Sequence, residues 1–387
     1  MTLFDDIRPY NDDEVAPAIE RVLSDSELIS AVSKLRFPRL ASYIPWLLQP
    51  VIRRVLKRQL KDVNSVKQLQ DIVSGYLGKM INERVSELTF SGLEKLDPKK
   101  SYLFISNHRD IAMDPAFMNW VLHQNGYNTV RIAIGDNLLT KPYVGDLMRL
   151  NKSFIVVRSA VGARGKYKAA KHLSSYIHHS IVEEGSSIWI AQREGRAKDG
   201  LDATNTAIVS MVALSKPKKV DFAEFINELN IVPVALSYEW DPCDAAKTNE
   251  LYHQAEHGSY EKDEHEDVAS IAAGISGEKG HVHVSFGDVL HGDYENTDQV
   301  AASIDQQIWS NYVQHPSNHL AYELLHNQSV NLPVTAQAKE YNAKQYNAEK
   351  QELQRRLDTI PAAQRDIFLG IYANPVVSQL PTNNLDK

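Results

Sequence analysis

From about Leu88 onward, the apolar positions gather into short runs set between longer stretches of mixed polarity. The runs are Glu87–Ser91, Tyr102–Ile105, Val130–Ile134, Ser153–Val157, Ser187–Ala191, Ile231–Leu236 and His281–Phe286. Short runs rich in Ile, Val and aromatic residues predict β-strands. Between several of them, helical spacing spans Pro115–Asn125, Lys141–Leu150, Tyr167–Glu184 and Thr206–Ser215. Strands alternating with helices predict an α/β fold whose mixed, mostly parallel central sheet is flanked by helices. In such folds ligands bind beyond the carboxyl ends of the strands. Pro233 in the sixth run restricts that strand and suggests an edge or the wall of a cleft.

The flanks read as helical. Residues 1–33 are polar and acidic, with a helix expected around Glu14 to Val32. From Lys34 to Lys61 there are eight Lys or Arg residues and no acid, interleaved with Phe37, Leu40, Tyr43, Trp46, Leu47, Val51 and Val55. Pro38, Pro45 and Pro50 divide it into short helices, because proline suits a helix's first turn and not its interior. Two readings stand. The stretch is an interfacial membrane anchor, or a helical hairpin that packs its apolar face and leaves a solvated basic one. Residues 64–88 follow as an amphipathic helix whose stripe is core. Pro242–Lys279 is polar and reads as an insertion, with Glu261–Asp267 as a solvated face. The tail is helical over Val300–Val313, Ser317–His326 and Thr335–Leu357. The expected organisation is therefore 1–87 as an N-terminal helical segment, 88–296 as the α/β domain with its insertion at 242–279, and 297–387 as a helical extension.

Bulk properties narrow the classes. The 387-residue chain carries 43% hydrophobic and 24% charged residues, ordinary for a globular protein. A net charge of −7 argues against bulk nucleic-acid binding. The single cysteine, Cys243, allows no internal disulfide and reads as a small hydrophobe. No apolar run reaches the ~18 residues of a membrane span, and Met1 is followed by acidic residues rather than a signal-like core. The expected place is the cytoplasm, peripheral to the inner face of a membrane. His253, His257 and His265 lack compact ligand spacing, so no metal site is expected. His281 and His283 alternate on one strand face and read as surface residues.

The chemistry-bearing stretch follows the second strand. His108 comes just past the Ser106-Asn107 turn, with Asp110 and Asp114 behind it. Histidine is a base near neutral pH. A carboxylate on its other ring nitrogen would fix the tautomer and stabilise imidazolium. Asp114-Pro115 also reads as a helix opening, and Asp110 as a turn stabiliser, so both carboxylates stand as partners. After the fourth strand come Arg158 and a glycine-containing basic loop. After the fifth come Gln192, Arg193, Glu194, Gly195, Arg196, Ala197 and Lys198. Guanidinium groups beside a glycine turn suit a phosphate.

The ordered set His108…Asp114, Phe154-Ile155…Arg158, Glu194-Gly195-Arg196-Ala197 and Ile231-Val232-Pro233-Val234 resembles the glycerol-phosphate and lysophospholipid acyltransferase family over Phe90 to about Tyr238, the third loop being close to but not the family's usual Glu-Gly-Thr-Arg-Ser. The resemblance implies an O-acyltransferase of phospholipid synthesis. A fatty acyl group would pass from acyl-CoA or acyl carrier protein to a hydroxyl of glycerol 3-phosphate or 1-acylglycerol 3-phosphate, with no other cofactor. It implies His108 as base and Asp114 as its partner, with Asp110 the alternative. Asn107, Arg158, Arg193, Glu194, Gly195, Arg196, Lys198 and Pro233 would line the substrate site. The spacing departs from the family, since Met113 stands where its members usually carry the aspartate. An inactive lipid-binding adaptor on the same fold, attached through residues 34–61, is the rival from another class. A metal-dependent hydrolase using His108, Asp110 and Asp114 is the third.

Overall fold

A computed structural model describes residues 3–139, 141–263, 266–329 and 343–380. In chain order the helices and strands are α1 (Asp12–Ser24), α2 (Ser26–Arg36), α3 (Pro38–Tyr43), α4 (Pro45–Leu60), α5 (Val66–Arg84), β1 (Glu87–Ser91), β2 (Leu103–Ser106), α6 (Met113–Gln124), β3 (Arg131–Gly135), α7 (Pro142–Leu150), β4 (Ser153–Val156), α8 (Gly162–His178), β5 (Ile188–Ala191), α9 (Thr206–Val212), α10 (Phe222–Glu228), β6 (Ile231–Tyr238), α11 (Asp244–His257), α12 (Glu266–Ser276), β7 (His281–Phe286), α13 (Thr297–Asn311), α14 (Pro316–His326), α15 (Ala343–Asp358) and α16 (Arg365–Val377). All seven expected strands form. His265 and the expected helical residues 335–342 lie outside the described residues. The chain folds as two compact units, residues 1–77 with 130–176, and residues 78–129 with 177–387.

The first unit holds the parallel pair β3 and β4, in register Ile132 with Ser153, and the N-terminal helices. The helix expected over Glu14–Val32 is two helices. Asp25 breaks it, accepting hydrogen bonds from the amides of Glu27 (2.8 Å) and Leu28 (3.0 Å) as the cap of α2. Val15, Ile19, Val22 and Leu23 of α1 form a core with Val63 and Leu150, against which Leu56 and Leu60 of α4 pack. Helix α4 therefore spends one face on the unit's core. Its other face and α3 leave Tyr43 (83% exposed), Trp46 (70%), Leu47, Val51 and Val55 in the open. The packed face matches the hairpin reading of residues 34–61, and an exposed apolar face lies beside it.

The second unit is built on strands in the order β1-β7-β6-β2-β5. Strand pairs β1–β7, β6–β2 and β2–β5 are parallel and β6–β7 is antiparallel. This is the mixed, mostly parallel sheet of an α/β fold. Strands β2, β5 and β6 run the same way, so their carboxyl ends meet at one edge. All eight residues of β6 are buried, so it lies inside the sheet, not at an edge. Pro233 is tolerated there because the β7 ladder begins only at Val234; beside Pro233 a loop substitutes, with the Gly287 amide donating to its carbonyl (2.8 Å).

The polar stretch 242–279 folds as α11 and α12. Glu261, Lys262 and Asp263 are exposed, as expected of a solvated face, while other charges of the stretch are buried in pairs. Lys247 pairs with Asp241, and Asp244 with Arg356 of α15 at 2.8 Å. Arg356 also lies over the Trp240 ring, 4.9 Å from its centroid. Helices α14 and α16 close a second core around Phe368, Tyr372 and Leu320. Cys243 is buried, and burial raises its thiol to about 11, which suits the hydrophobe reading.

His281 and His283 are likewise buried, 3% and 2% exposed, against the surface reading. Alternation identifies a shared strand face but not what covers it. Here β1 lies beside β7 in the sheet, and the Thr89 hydroxyl is 2.6 Å from His281 Nε2 and from His283 Nδ1. His315, buried at the start of α14, packs 5.0 Å from His281. Burial lowers the His283 ring to about 4, with His281 adding to it, and burial also lowers His281, His315 and His319. An unfolded chain titrates histidine near 6.5, so below that pH it takes up protons that the fold refuses. Stability is therefore intact above about pH 6.5 and declines as the pH falls towards 4. The His283 step alone is worth roughly 3 kcal/mol. Urea unfolding at pH 7.5, 6 and 5 should show this loss, and His283→Gln should flatten it. Equal stability across that range would contradict it.

Candidate active site

Strand β2 ends at Ser106, where the sheet's carboxyl edge begins. Asn107 follows, fully buried, and its amide is spent inside the fold. Its Nδ2 donates to the Leu236 carbonyl (2.9 Å) and to Asp202 Oδ2 (3.0 Å), and its Oδ1 accepts from the Leu236 amide (2.7 Å). Asn107 thus ties the end of β2 to β6 rather than offering its amide to a ligand. The next residue, His108, keeps 14% of its side chain exposed. Its ring stands edge-on to Trp189 of β5 at 5.7 Å.

The structure brings Asp114, not Asp110, to the imidazole. His108 Nδ1 lies 2.8 Å from Asp114 Oδ2. The same oxygen accepts from the amides of Arg109 (2.6 Å) and Asp110 (3.0 Å), and Oδ1 accepts from the Tyr238 hydroxyl (2.6 Å). A carboxylate only accepts, so Nδ1 carries the ring proton and Nε2 keeps its lone pair. The extra residue in the spacing is absorbed by the turn at Arg109–Ala112. Asp110 Oδ1 accepts from the Ala112 and Met113 amides, both at 3.0 Å, and so caps the start of α6. Its Oδ2 is buried with no hydrogen-bond partner among the described residues. Burial, and then the charge of Asp114, raise the Asp110 carboxyl above its ordinary range. Helix α12 packs so closely there that a methyl group on Gly274 would strike that carboxyl.

Buried charges hold the loop from behind. Arg109 donates to Asp202 Oδ2 (2.6 Å) and to the Gly200 carbonyl (3.3 Å), and its guanidinium lies 5.6 Å from the Tyr312 ring centroid. Lys247 Nζ donates to the Arg109 carbonyl (2.7 Å) while paired with Asp241. Breaking one partner of such a buried pair leaves an uncompensated charge. Sequence reasoning passed over Arg109, Asp202, Lys247 and Tyr238. A buried lysine in a run read as an insertion carries no local signal. Tyr238, by contrast, closes the strand that holds Pro233.

The third loop meets His108 through its backbone, with the Ala197 amide donating to the His108 carbonyl (2.8 Å). Its side chains divide. Arg193 is half-buried and makes no hydrogen bond or ion pair among the described residues. Glu194 and Gly195 are exposed, and Gly195 sits at φ +75°, a turn that favours glycine. Arg196 is buried and donates to Ser270 Oγ of α12 (3.3 Å). Lys198 is paired with Glu250 of α11. Arg158 belongs to the first unit, where its amide and that of Ser159 donate to Asp136 (3.0 and 3.2 Å). Among the described residues, no group of three or more His, Cys, Asp or Glu side chains is placed to hold a metal ion.

A histidine whose far nitrogen has no hydrogen-bond partner among the described residues and whose near one is held by a carboxylate can take a proton from a hydroxyl. The model of the Acyltransferase family matches residues 87–237, which span β1 to the penultimate residue of β6. No curated protein matches the chain. Among solved structures, the 1-acyl-sn-glycerophosphate (LPA) acyltransferase PlsC from Thermotoga maritima overlaps 76% of this chain and 93% of its own. That overlap comes at 11% identity and a TM-score of 0.35, too loose for anything below to rest on it.

Proposed function

We propose that this chain, which carries an acyltransferase-family domain over residues 87–237, is an O-acyltransferase working at a membrane surface. It moves a fatty acyl group from a thioester donor, acyl-CoA or acyl carrier protein, to a hydroxyl of glycerol 3-phosphate or 1-acylglycerol 3-phosphate. The observation that carries this reading is the His108–Asp114 pair at 2.8 Å, set at the carboxyl end of β2. In the reaction, His108 Nε2 takes the acceptor's hydroxyl proton and the oxygen attacks the thioester carbonyl. The carbon–sulfur bond then breaks, and the leaving thiolate takes the proton back from the imidazolium. Asp114 keeps Nδ1 protonated and stabilises the charged ring. Arg193 and Arg196 are the third-loop cations we assign to the acceptor phosphate. Glu194 and Gly195 shape that turn. Pro233 lies on the strand that anchors Asn107. The part of Arg158 rests on the motif resemblance.

The test is thiol release from acyl-CoA and from acyl carrier protein across a panel of acceptors with and without a phosphate. Release with the two named acceptors supports the reading. No release with any acceptor, together with vesicle binding, would favour the inactive adaptor.

Membrane contact is assigned to α3 and α4. Among the described residues no helix is long and apolar enough to cross a membrane. The exposed Tyr43, Trp46, Leu47 and Val51 lie among Arg39, Arg53, Arg54, Lys57 and Arg58, as on an interfacial helix. Each cation near an anionic surface is worth about 1 kcal/mol. Reversing Arg53, Arg54, Lys57 and Arg58 to glutamate should therefore weaken flotation with phosphatidylserine vesicles by more than a hundredfold. Unchanged flotation would remove the assignment.

A further inference from the structure

We propose that Tyr238 is a positioning residue for the base, acting through Asp114; the proposal rests on the acyl-transfer reading above. Tyr238 is the last residue of β6, in register with Val282 of β7. Its hydroxyl donates to Asp114 Oδ1 at 2.6 Å, on the opposite side of the carboxylate from the oxygen that meets His108. Its ring stands edge-on to Phe117 of α6 at 5.8 Å, one turn beyond Asp114. Carboxylate, ring and helix start are thereby held from a strand, the stiffest support available.

Two features make this more than packing. First, Asp114 is fully buried and each of its oxygens has a fixed donor. The hydroxyl therefore governs how much of the carboxylate's charge remains for the imidazole. Burial, and then Asp114 itself, push the Tyr238 phenol well above its ordinary range, so the hydroxyl stays a donor across the working pH. Second, β6 holds the catalytic loop at both ends. Leu236 grips Asn107 through two hydrogen bonds, and Tyr238 grips Asp114 two residues further on. His108 sits between these holds, and its aim follows from them.

The experiment compares wild type with Tyr238→Phe and with protein carrying 3-fluorotyrosine at 238, which keeps the shape and strengthens donation. Removing the hydroxyl leaves more charge on Asp114 to favour imidazolium. Tyr238→Phe should move the acidic limb of the kcat profile to higher pH and lower kcat roughly tenfold with KM unchanged. The fluorinated protein should move the limb to lower pH. On an Asp114→Asn background, Tyr238→Phe should cost no further activity. Titrating the His108 ring by NMR reads the same opposed shifts without turnover. An inactive wild type therefore sinks the acyl-transfer reading, whereas a ring titration unmoved by either change sinks this one. A variant that loses thermal stability but keeps the wild-type profile also overturns it, since it marks Tyr238 as structural only.

Discussion

His108→Ala is expected to lower thiol release by about 10²–10⁴-fold, the usual worth of a positioned general base, while the protein stays folded. The second half follows from what the imidazole leaves behind. Asp114 would lose one donor but keep three, the amides of Arg109 and Asp110 and the Tyr238 hydroxyl. No buried carboxylate is orphaned, so the stability cost is that of one hydrogen bond, about 1 kcal/mol. The edge contact with Trp189 adds little, because Trp189 Nε1 is held separately by Ser106 Oγ at 2.9 Å. Urea unfolding and single-substrate kinetics on the same preparation separate the two effects. Turnover close to wild type in a folded variant would mean the base is another group.

Asp114→Asn should be nearly as damaging, by about 10²–10⁴-fold, and Asp110→Asn should not. An asparagine at 114 cannot accept at both oxygens. If its carbonyl faces the three donors at the Oδ2 position, its amide meets Tyr238, and the imidazolium loses its counter-charge. Asp110 differs in kind. Its Oδ1 caps α6, a task an asparagine carbonyl performs equally well. Its Oδ2 is bonded to nothing among the described residues, and burial already opposes its charge. The two variants should therefore differ by about a hundredfold or more in kcat. Equal losses would mean that Asp110 shares the task, and the reverse order would exchange the roles.

The strands and the placing of His108 just past one of them were legible because each is a local matter. Apolar runs announced β2, β5 and β6, and a histidine placed after a strand stood out from its neighbours. The odd spacing to Asp114 was visible but undecidable, since a loop's path is set by what it bonds to. Here that is Asp110 Oδ1 from within the loop and Lys247 from outside it. The buried charges of segment 242–279 were not legible, because charge dominates its composition throughout. Burial of Asp244 and Glu250 depends on Arg356 and Lys198, far away in sequence, and Lys247 adds the distant Arg109 carbonyl to its near partner Asp241. Gly274 could not have been singled out, as its part is to lack a side chain beside Asp110. Asn107 read as a substrate-site residue because its partners, the Leu236 backbone and the distant Asp202 carboxylate, are not displayed by the sequence.

The double grip of β6 on the loop from Asn107 to Asp114 also sets how the protein should fail when heated. Loops that carry catalytic groups often loosen well before the rest of a domain melts. This one is fastened to the interior of the sheet, through Leu236 and Tyr238, residues that also pair with β7. Inactivation and melting should then trace a single curve, with no temperature window in which the molecule is folded but idle.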